Sequence, residues 1–365
     1  YEIGSGLVGS EMCIRDRADG VLQPLFLRWR YKMRENKVVY GLIGYGGMGR
    51  WHTEILSNVP EAVIGGIYDI KEEKREEAKA KGFSVYETEE AMLADSDIDV
   101  VLIATPNDCH KPIAIRAMHA GKNVISEKPV TLSSADLLEM EKVAKETGKL
   151  FTVHQNRRWD DDFLIIKKLV EEQKLGHVFR IESRVHGSRG IPGDWRKEKV
   201  HGGGMVLDWG VHLLDQILYM YGDRKIETVY ASLTNITNQE VDDGFTAILT
   251  FEGGTEVLVE VGTNNYISLP RWYVLGKDGT AVIRDWQLTG EIIRKTGKTE
   301  ETVIPVKTAA GLTKTMAPRR EDTIVKEDLP KVSGDIADFH RNVVAVIRDG
   351  AEPEIKLFQV MRVMK

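Results

Sequence analysis

The strongest constraint on the fold is a strand-like run, Val38-Val39-Tyr40-Gly41-Leu42-Ile43, that leads directly into Gly44-Tyr45-Gly46-Gly47-Met48-Gly49. Asp69 stands twenty residues beyond the last glycine, at the end of a second apolar run from Ala62 to Tyr68. Each glycine has its own physical reason. Gly44 permits a tight turn, Gly46 lets main chain approach a pyrophosphate, and Gly49 lets the following helix pack on the strand. The helix start offers free N–H groups and the positive end of a dipole to phosphate. Asp69 is placed to accept hydrogen bonds from adenosine ribose hydroxyls, and Tyr45, Gly47, Met48 and Ile70 complete the wall of a dinucleotide cradle. A glycine-rich turn alone is common; a strand, a helix and an acid in register with it carry the reading.

At 365 residues the chain is long enough for two domains with separate cores. With 42% hydrophobic and 29% charged residues it has the composition of a globular protein, not of a disordered one. A net charge of −6, with no basic cluster interleaved by aromatics, gives no sign of a nucleic-acid partner. No apolar run approaches the ~18 residues of a membrane span, and a cytoplasmic protein is expected. Cys13 and Cys109 make no disulfide framework, and the nine histidines show no ligand spacing, so no metal is expected. Tyr1 to Arg17 has no helical or strand periodicity and resembles translated adapter sequence. Residues 1–32 are read as a non-native leader, with Met33 as the expected start; Val21 to Leu27 is apolar but is followed by its charges, the reverse of a secretory signal. Ile355 to Lys365 reads as an amphipathic helix without a closing glycine or proline, and is expected to be clipped.

Between these ends the pattern changes once. From Val38 to Val153, strands at 38–43, 62–69, 84–86, 98–104, 122–126 and 151–153 alternate with helices at 48–58, 71–81, 88–94, 108–120 and 134–147. Apolar strands joined by helices imply a parallel, doubly wound Rossmann sheet covered on both faces. A helix at 161–174, a strand at 177–186 and a helix at 203–221 follow. Strands are then expected at 226–234, 244–251, 255–262, 271–277 and 279–284, with turns at Glu252-Gly253-Gly254 and Lys277-Asp278-Gly279. A polar loop is expected from about 295 to 333, and a helix at 335–349. The fold class is α/β followed by α+β with a mostly antiparallel open sheet. The domains are 33–156 for the nucleotide, 157–333 for substrate and oligomerisation, and 334–365 for the C-terminal helices.

Two strand ends carry further chemistry. One runs into Ala104-Thr105-Pro106-Asn107, with His110 in the next turn and Asn107 a candidate helix cap. Another runs into Ser126-Glu127-Lys128-Pro129, where Pro129 holds Lys128 in extended geometry at the sheet edge. Ligands of doubly wound sheets lie beyond these carboxyl ends. In Gly202-Gly203-Gly204-Met205-Val206-Leu207-Asp208-Trp209-Gly210-Val211-His212, helical geometry puts Asp208 and His212 on one face, a carboxylate beside a proton-accepting imidazole. The triple glycine is expected to bring that helix start close to a ligand.

Together with Asn156-Arg157-Arg158-Trp159-Asp160, these motifs resemble the glucose–fructose oxidoreductase / inositol dehydrogenase / MocA family, in order and spacing, from about Val38 onward. The run from Gln155 to Asp160 looks most like the branch containing scyllo-inositol dehydrogenases. The resemblance implies that Lys128 and His212 face a substrate with Asp208 in support. It implies that Thr105, Pro106, Asn107 and Glu127 line the nicotinamide ribose, and that Asn156 and Arg157 border nicotinamide and substrate. Hydride transfer from a secondary hydroxyl of a sugar or cyclic polyol follows, with His212 as proton acceptor, supported by Asp208, and Lys128 stabilising the reacting oxygen; Lys128 as the base is the alternative. Trp195 and Arg196 join Arg157 as substrate contacts. Asp69 favours NAD over NADP by charge, with Lys71 and Lys74 weighing the other way. A homo-oligomer, dimer or tetramer, is expected from the strand-rich second half. Two other classes remain: a redox-assisted glycosidase that retains its NAD, and a non-catalytic dinucleotide sensor, which has no need of a proton-transfer pair.

Overall fold

The computed structural model describes residues 37–299 and 302–365. The expected leader, 1–32, lies outside the described residues. Five strands form the first sheet: β1 (Val38–Ile43), β2 (Ala62–Tyr68), β3 (Val100–Ile103), β4 (Asn123–Ser126) and β5 (Phe151–Val153). Their order is β2-β1-β3-β4-β5, and every pairing is parallel. β1 and β3 are buried along their whole length, as a sheet covered on both faces requires. The covering helices are α1 (Gly47–Leu56), α2 (Glu72–Ala80), α3 (Glu89–Ala94), α4 (His110–His119) and α5 (Ser134–Thr147). α5 starts where Ser133 accepts from the Asp136 amide and ends at Gly148, whose φ of +63° stops the helix. The strand order reverses between β1 and β3, which puts the ligand crevice beyond those two carboxyl ends.

The second sheet has eight strands in the order β15-β12-β11-β10-β6-β9-β8-β7. These are β6 (Val178–His186), β7 (Ile226–Thr234), β8 (Gly244–Phe251), β9 (Thr255–Gly262), β10 (Trp272–Gly276), β11 (Gly279–Ile283), β12 (Gly290–Lys295) and β15 (Ile324–Glu327); β13 (Val306–Thr308) and β14 (Gly311–Thr313) form a separate hairpin. All pairings in the large sheet are antiparallel except β6 with β9. α6 (Asp161–Glu171) and α7 (Val211–Tyr221) supply apolar side chains to its core. α8 (Ala337–Asp349) and α9 (Leu357–Met364) return to the first domain, where Phe339, Val343, Val360 and Met361 join the nucleotide-domain core.

Three expectations change. The strand at 84–86 is a single bridge from Val85 to Ile67. The loop expected from 295 to 333 contains β13, β14 and β15, and β12 was not foreseen: its Gly-Glu-Ile-Ile-Arg-Lys sequence lacks alternation, and pairing with β11 rather than periodicity makes it a strand. The helix expected at 203–221 begins as a π-helical segment, Val206–Gly210, before α7. Among the described residues no helix is long and apolar enough to cross a membrane.

Candidate active site

The glycine turn is built by close approach. Gly44 has φ +96°, and a Cβ there would lie 2.5 Å from the Ala104 oxygen at the end of β3. A Cβ at Gly49 would come within 2.1 Å of the Gly44 oxygen. Gly46 and Gly47 differ, because nothing lies within 4 Å of their would-be Cβ atoms. α1 starts at Gly47 with no side-chain cap and no acid in its first turn, with Met48 on that turn. Open space before an uncapped helix N-terminus fits a pyrophosphate. The Asp69 carboxylate accepts from the Tyr45 amide at 2.7 Å and the Lys71 amide at 2.8 Å. Each oxygen keeps a second lone pair for a ribose hydroxyl. Ile70 beside it is exposed, whereas the Tyr45 ring is fully buried, edge-on to Phe83, so Tyr45 contributes main chain rather than a side-chain wall.

Beyond β3, the Asn107 amide does not cap the next helix. It donates to the Gly202 carbonyl at 2.9 Å and so ties the nucleotide domain to the glycine loop of the second. His110 is buried between two carbonyls, with Nδ1 2.8 Å from the Pro129 oxygen and Nε2 3.0 Å from the Thr105 oxygen. Both ring nitrogens face carbonyl oxygens and the neutral ring donates to one of them, bracing the Thr105-Pro106 turn against the Lys128–Pro129 turn, whose peptide is cis. Burial holds its pKa below the ordinary imidazole value.

The Lys128 ammonium donates to the Asp208 main-chain oxygen at 3.0 Å and approaches its carboxylate at 3.4 Å. The same carboxylate oxygen lies 3.3 Å from Nε of Arg196, and the Arg196 guanidinium stacks on the Trp195 ring at 4.6 Å. The carboxylate expected beneath His212 is therefore turned to two cations, and no hydrogen bond joins Asp208 to His212 among the described residues. The cause is local: both cations reach the same Asp208 oxygen and hold the carboxylate away from His212, on a stretch wound as a π-helix from Val206 to Gly210. His212 is buried, and burial first, then the charges of Lys128 and Arg157, push its pKa well below the ordinary value. The triple glycine serves packing. A Cβ at Gly202 would strike Leu132, one at Gly203 the Arg196 carbonyl, and one at Gly204 the Asp242 carboxylate, which itself accepts from the Met205 and Val206 amides. That helix start is capped by protein, not offered to a ligand.

Arg157 stacks on Trp209 at 4.0 Å and pairs with Asp160 at 2.8 Å. Thr105 Oγ1, Asn156 Oδ1, Arg157 Nε and His212 Nδ1 are buried without a hydrogen-bond partner. Such atoms are costly to bury alone, so four of them among the expected site residues fit a polar ligand, a nicotinamide ribose and a polyhydroxylated substrate. The residues present fit NAD(P).

Family profiles divide the chain as the fold does. The GFO/IDH/MocA oxidoreductase family, NAD-binding Rossmann fold, matches residues 38–155, and the GFO/IDH/MocA C-terminal domain matches residues 163–282. This chain belongs to the GFO/IDH/MocA family. It is an NAD(P)-dependent oxidoreductase. The scyllo-inositol 2-dehydrogenase (NADP(+)) of Bacillus subtilis is 28% identical over 327 residues, covering 89% of this chain and 90% of that protein. The myo-inositol 2-dehydrogenase of Thermotoga maritima is 30% identical over 223 residues, covering 59% of this chain and 65% of the relative. A crystal structure of an NAD-binding protein from Listeria innocua superimposes with a TM-score of 0.86 at 50% identity, covering 90% of this chain and 94% of that one.

Some supports of the site were not foreseen. Trp209 and Trp286 flank Arg157, and Asp162, buried, holds Arg271 and the Trp272 indole. Glu127 is buried and accepts from His52 and His154. These partners are tens to hundreds of residues apart, so no local sequence pattern marks them.

Proposed function

We propose that this oxidoreductase interconverts a secondary hydroxyl of an inositol-like cyclic polyol, or of a related sugar, and the corresponding ketone, with NAD as the preferred cofactor. The observation that carries the proposal is that Lys128, just beyond the carboxyl end of β4, lies near enough to the buried His212 for its charge to help keep the imidazole neutral. The GFO/IDH/MocA fold and the names of the two inositol dehydrogenase relatives support the substrate class.

The backbone of Gly46 and Gly47 would hold the pyrophosphate and Asp69 the adenosine ribose, with Thr105, Asn107 and Asn156 toward the nicotinamide side. The bound nicotinamide supplies the hydride acceptor or donor. Lys128 Nζ donates a hydrogen bond to the reacting oxygen and offsets the negative charge that develops on it, the contribution that is usually largest. His212, kept neutral by burial, takes the hydroxyl proton on a ring nitrogen. Asp208 acts on Lys128, aiming the ammonium through its main-chain oxygen and carboxylate. Arg157, fixed on Trp209, and Arg196, stacked on Trp195, offer donors to the remaining hydroxyls.

NAD is favoured because Asp69 would repel a 2′-phosphate and two of the three nearby cations are committed, with Lys71 weighing the other way. Lys74 pairs with Glu77 at 3.1 Å, and Arg75 donates to the main-chain oxygens of Asp69 and Ile70. The NADP(+) in the name of the Bacillus relative is the competing indication.

The test is reduction of NAD and NADP by the purified chain against a panel of inositols, aldoses and amino sugars. Turnover on a cyclic polyol supports the proposal. A folded chain that binds NAD and turns over none of them, or releases free sugar from glycosides with no net NADH, overturns it.

A further inference from the structure

Three histidines from distant parts of the chain meet inside the protein. His52 lies on α1, His154 directly follows β5, and His340 lies on α8; all three are completely buried. Glu127 Oε1 is 2.8 Å from Nε2 of His52 and 2.9 Å from Nδ1 of His154. A carboxylate accepts, so both rings donate to it, and their other nitrogens, His52 Nδ1 and His154 Nε2, carry lone pairs. One ring nitrogen from each of the three histidines lies within 4.8 Å of the others. His52 Nδ1 is 3.3 Å from Nε2 of His340. Nitrogens bound to one tetrahedral zinc ion are about 3.3 Å apart, given Zn–N bonds of about 2.0–2.1 Å.

We propose that His52, His154 and His340 bind a divalent transition-metal ion of the zinc type, with Glu127 orienting two of the three ligands. A carboxylate that takes the second N–H of a ligating histidine fixes its tautomer and raises its basicity. Imidazole ligands select zinc and its neighbours over magnesium or calcium, which require oxygen. A chain of hydrogen bonds from His340 to His52 to Glu127 would engage Nε2 of His340 and both nitrogens of His52 without an ion. It leaves Nε2 of His154 and Nδ1 of His340 buried with no partner, and the ion gives the first of these a partner. Tyr40, Trp51 and Phe339 pack edge-on or tilted around the rings and keep bulk water away.

The role is structural. The ion would fasten three elements: the helix that opens on the glycine cradle, the end of the edge strand β5, and the C-terminal α8. Lys128 and His212 stay outside the ligand set. Positions 52, 154 and 340 share no local spacing, so the expectation of no metal rested on sequence spacing alone, and the proposal departs from it.

The test takes the full chain expressed in zinc-supplemented medium, passes it over a chelating resin and measures zinc per chain and its X-ray absorption fine structure. A parallel sample is unfolded with chelator and refolded with or without Co²⁺. One equivalent of metal with three imidazole ligands, and a tetrahedral cobalt spectrum, support the site. His154→Gln and His340→Gln are each expected to lose that equivalent, while His119→Gln, on the surface of α4, keeps it. A folded wild-type chain with no bound zinc or cobalt, or with fewer than three imidazoles on the ion, overturns the proposal, and so does full binding by both variants. Because the wild-type measurement decides alone, a variant that fails to fold does not blunt the test.

Discussion

Lys128 Nζ sits 3.0 Å from the main-chain oxygen of Asp208, so the ammonium is aimed by backbone that no substitution at Asp208 removes. Lys128→Ala should therefore cut kcat by about 10²–10³, the usual loss for one donor to a developing oxyanion, with NAD affinity unchanged by fluorescence titration. Asp208→Asn keeps the main-chain acceptor and should cost markedly less. Equal losses in the two variants would show that the carboxylate, not the backbone, sets the lysine.

The depressed pKa of His212 gives a signed pH dependence. A base must be neutral to accept a proton, so kcat/KM for oxidation should hold its plateau as pH falls through about 6.5, the ordinary imidazole value, and drop only well below it. Stability follows the opposite ledger of the unfolded chain. His110 and His212 are both held neutral in the fold, so below about pH 6.5 the unfolded state binds more protons and the fold loses stability as pH falls. Urea midpoints between pH 8 and pH 5 check this. A midpoint that rises on acidification contradicts it.

Much of this site was legible because its signals are local. Gly44, Gly46, Gly49 and Asp69 each do what a βαβ turn demands, and those demands lie within one short stretch of chain. Thr105 and Lys128 were legible for a related reason: carboxyl ends of parallel strands converge wherever such a sheet forms. The Asp208–His212 pair misled because spacing says which face a carboxylate is on but not that Lys128 and Arg196, from elsewhere in the chain, claim it. His110 misled because a histidine near a strand end looks the same whether it faces a ligand or two carbonyls. The triple glycine reads as an opening for a ligand until Leu132, Arg196 and Asp242 are seen against it. The buried histidines and the Arg158–Asp215 pair were invisible, since their partners meet only through tertiary packing.

Asp69 makes a prediction about cofactor choice. Asp69→Ser keeps an acceptor for one of the two turn amides while removing the charge that a 2′-phosphate would meet. The ratio of kcat/KM for NADP to that for NAD should rise by about tenfold or more, since like-charge juxtaposition costs several kcal/mol. A wild-type chain that already prefers NADP would mean that Asp69 is misread.

Arg158 and Asp215 form a bidentate pair at 2.7 Å, with both side chains almost completely buried, and Arg158 reaches Gln359 on α9 at 3.0 Å. Arg158→Ala leaves a buried carboxylate without its cation and should cost about 3–5 kcal/mol of stability. The double substitution Arg158→Met with Asp215→Leu strands no charge and should cost less than the single one. Denaturant unfolding of the three proteins checks the order.

Strand β7 argues for a partner copy. It is a nine-residue edge strand, exposed from Glu227 to Thr234, and long bare edges invite pairing. Val229, Ala231 and Leu233 lie opposite the buried Leu249, Ala247 and Phe245 of β8, so they point to the core side of the sheet, yet Val229 is 65% and Leu233 57% exposed. Among the described residues nothing covers them. Ile236, two residues past the end of β7, is exposed as well, and exposed apolar surface beside a bare edge favours association. The wild-type chain is thus expected to be a homo-oligomer by light scattering. Val229→Glu with Leu233→Lys should shift it to a smaller species while the thermal midpoint of the isolated protomer stays within a few degrees, because neither side chain is buried in one copy. A monomeric wild-type chain at micromolar concentration would mean that this face meets solvent or something other than a second copy.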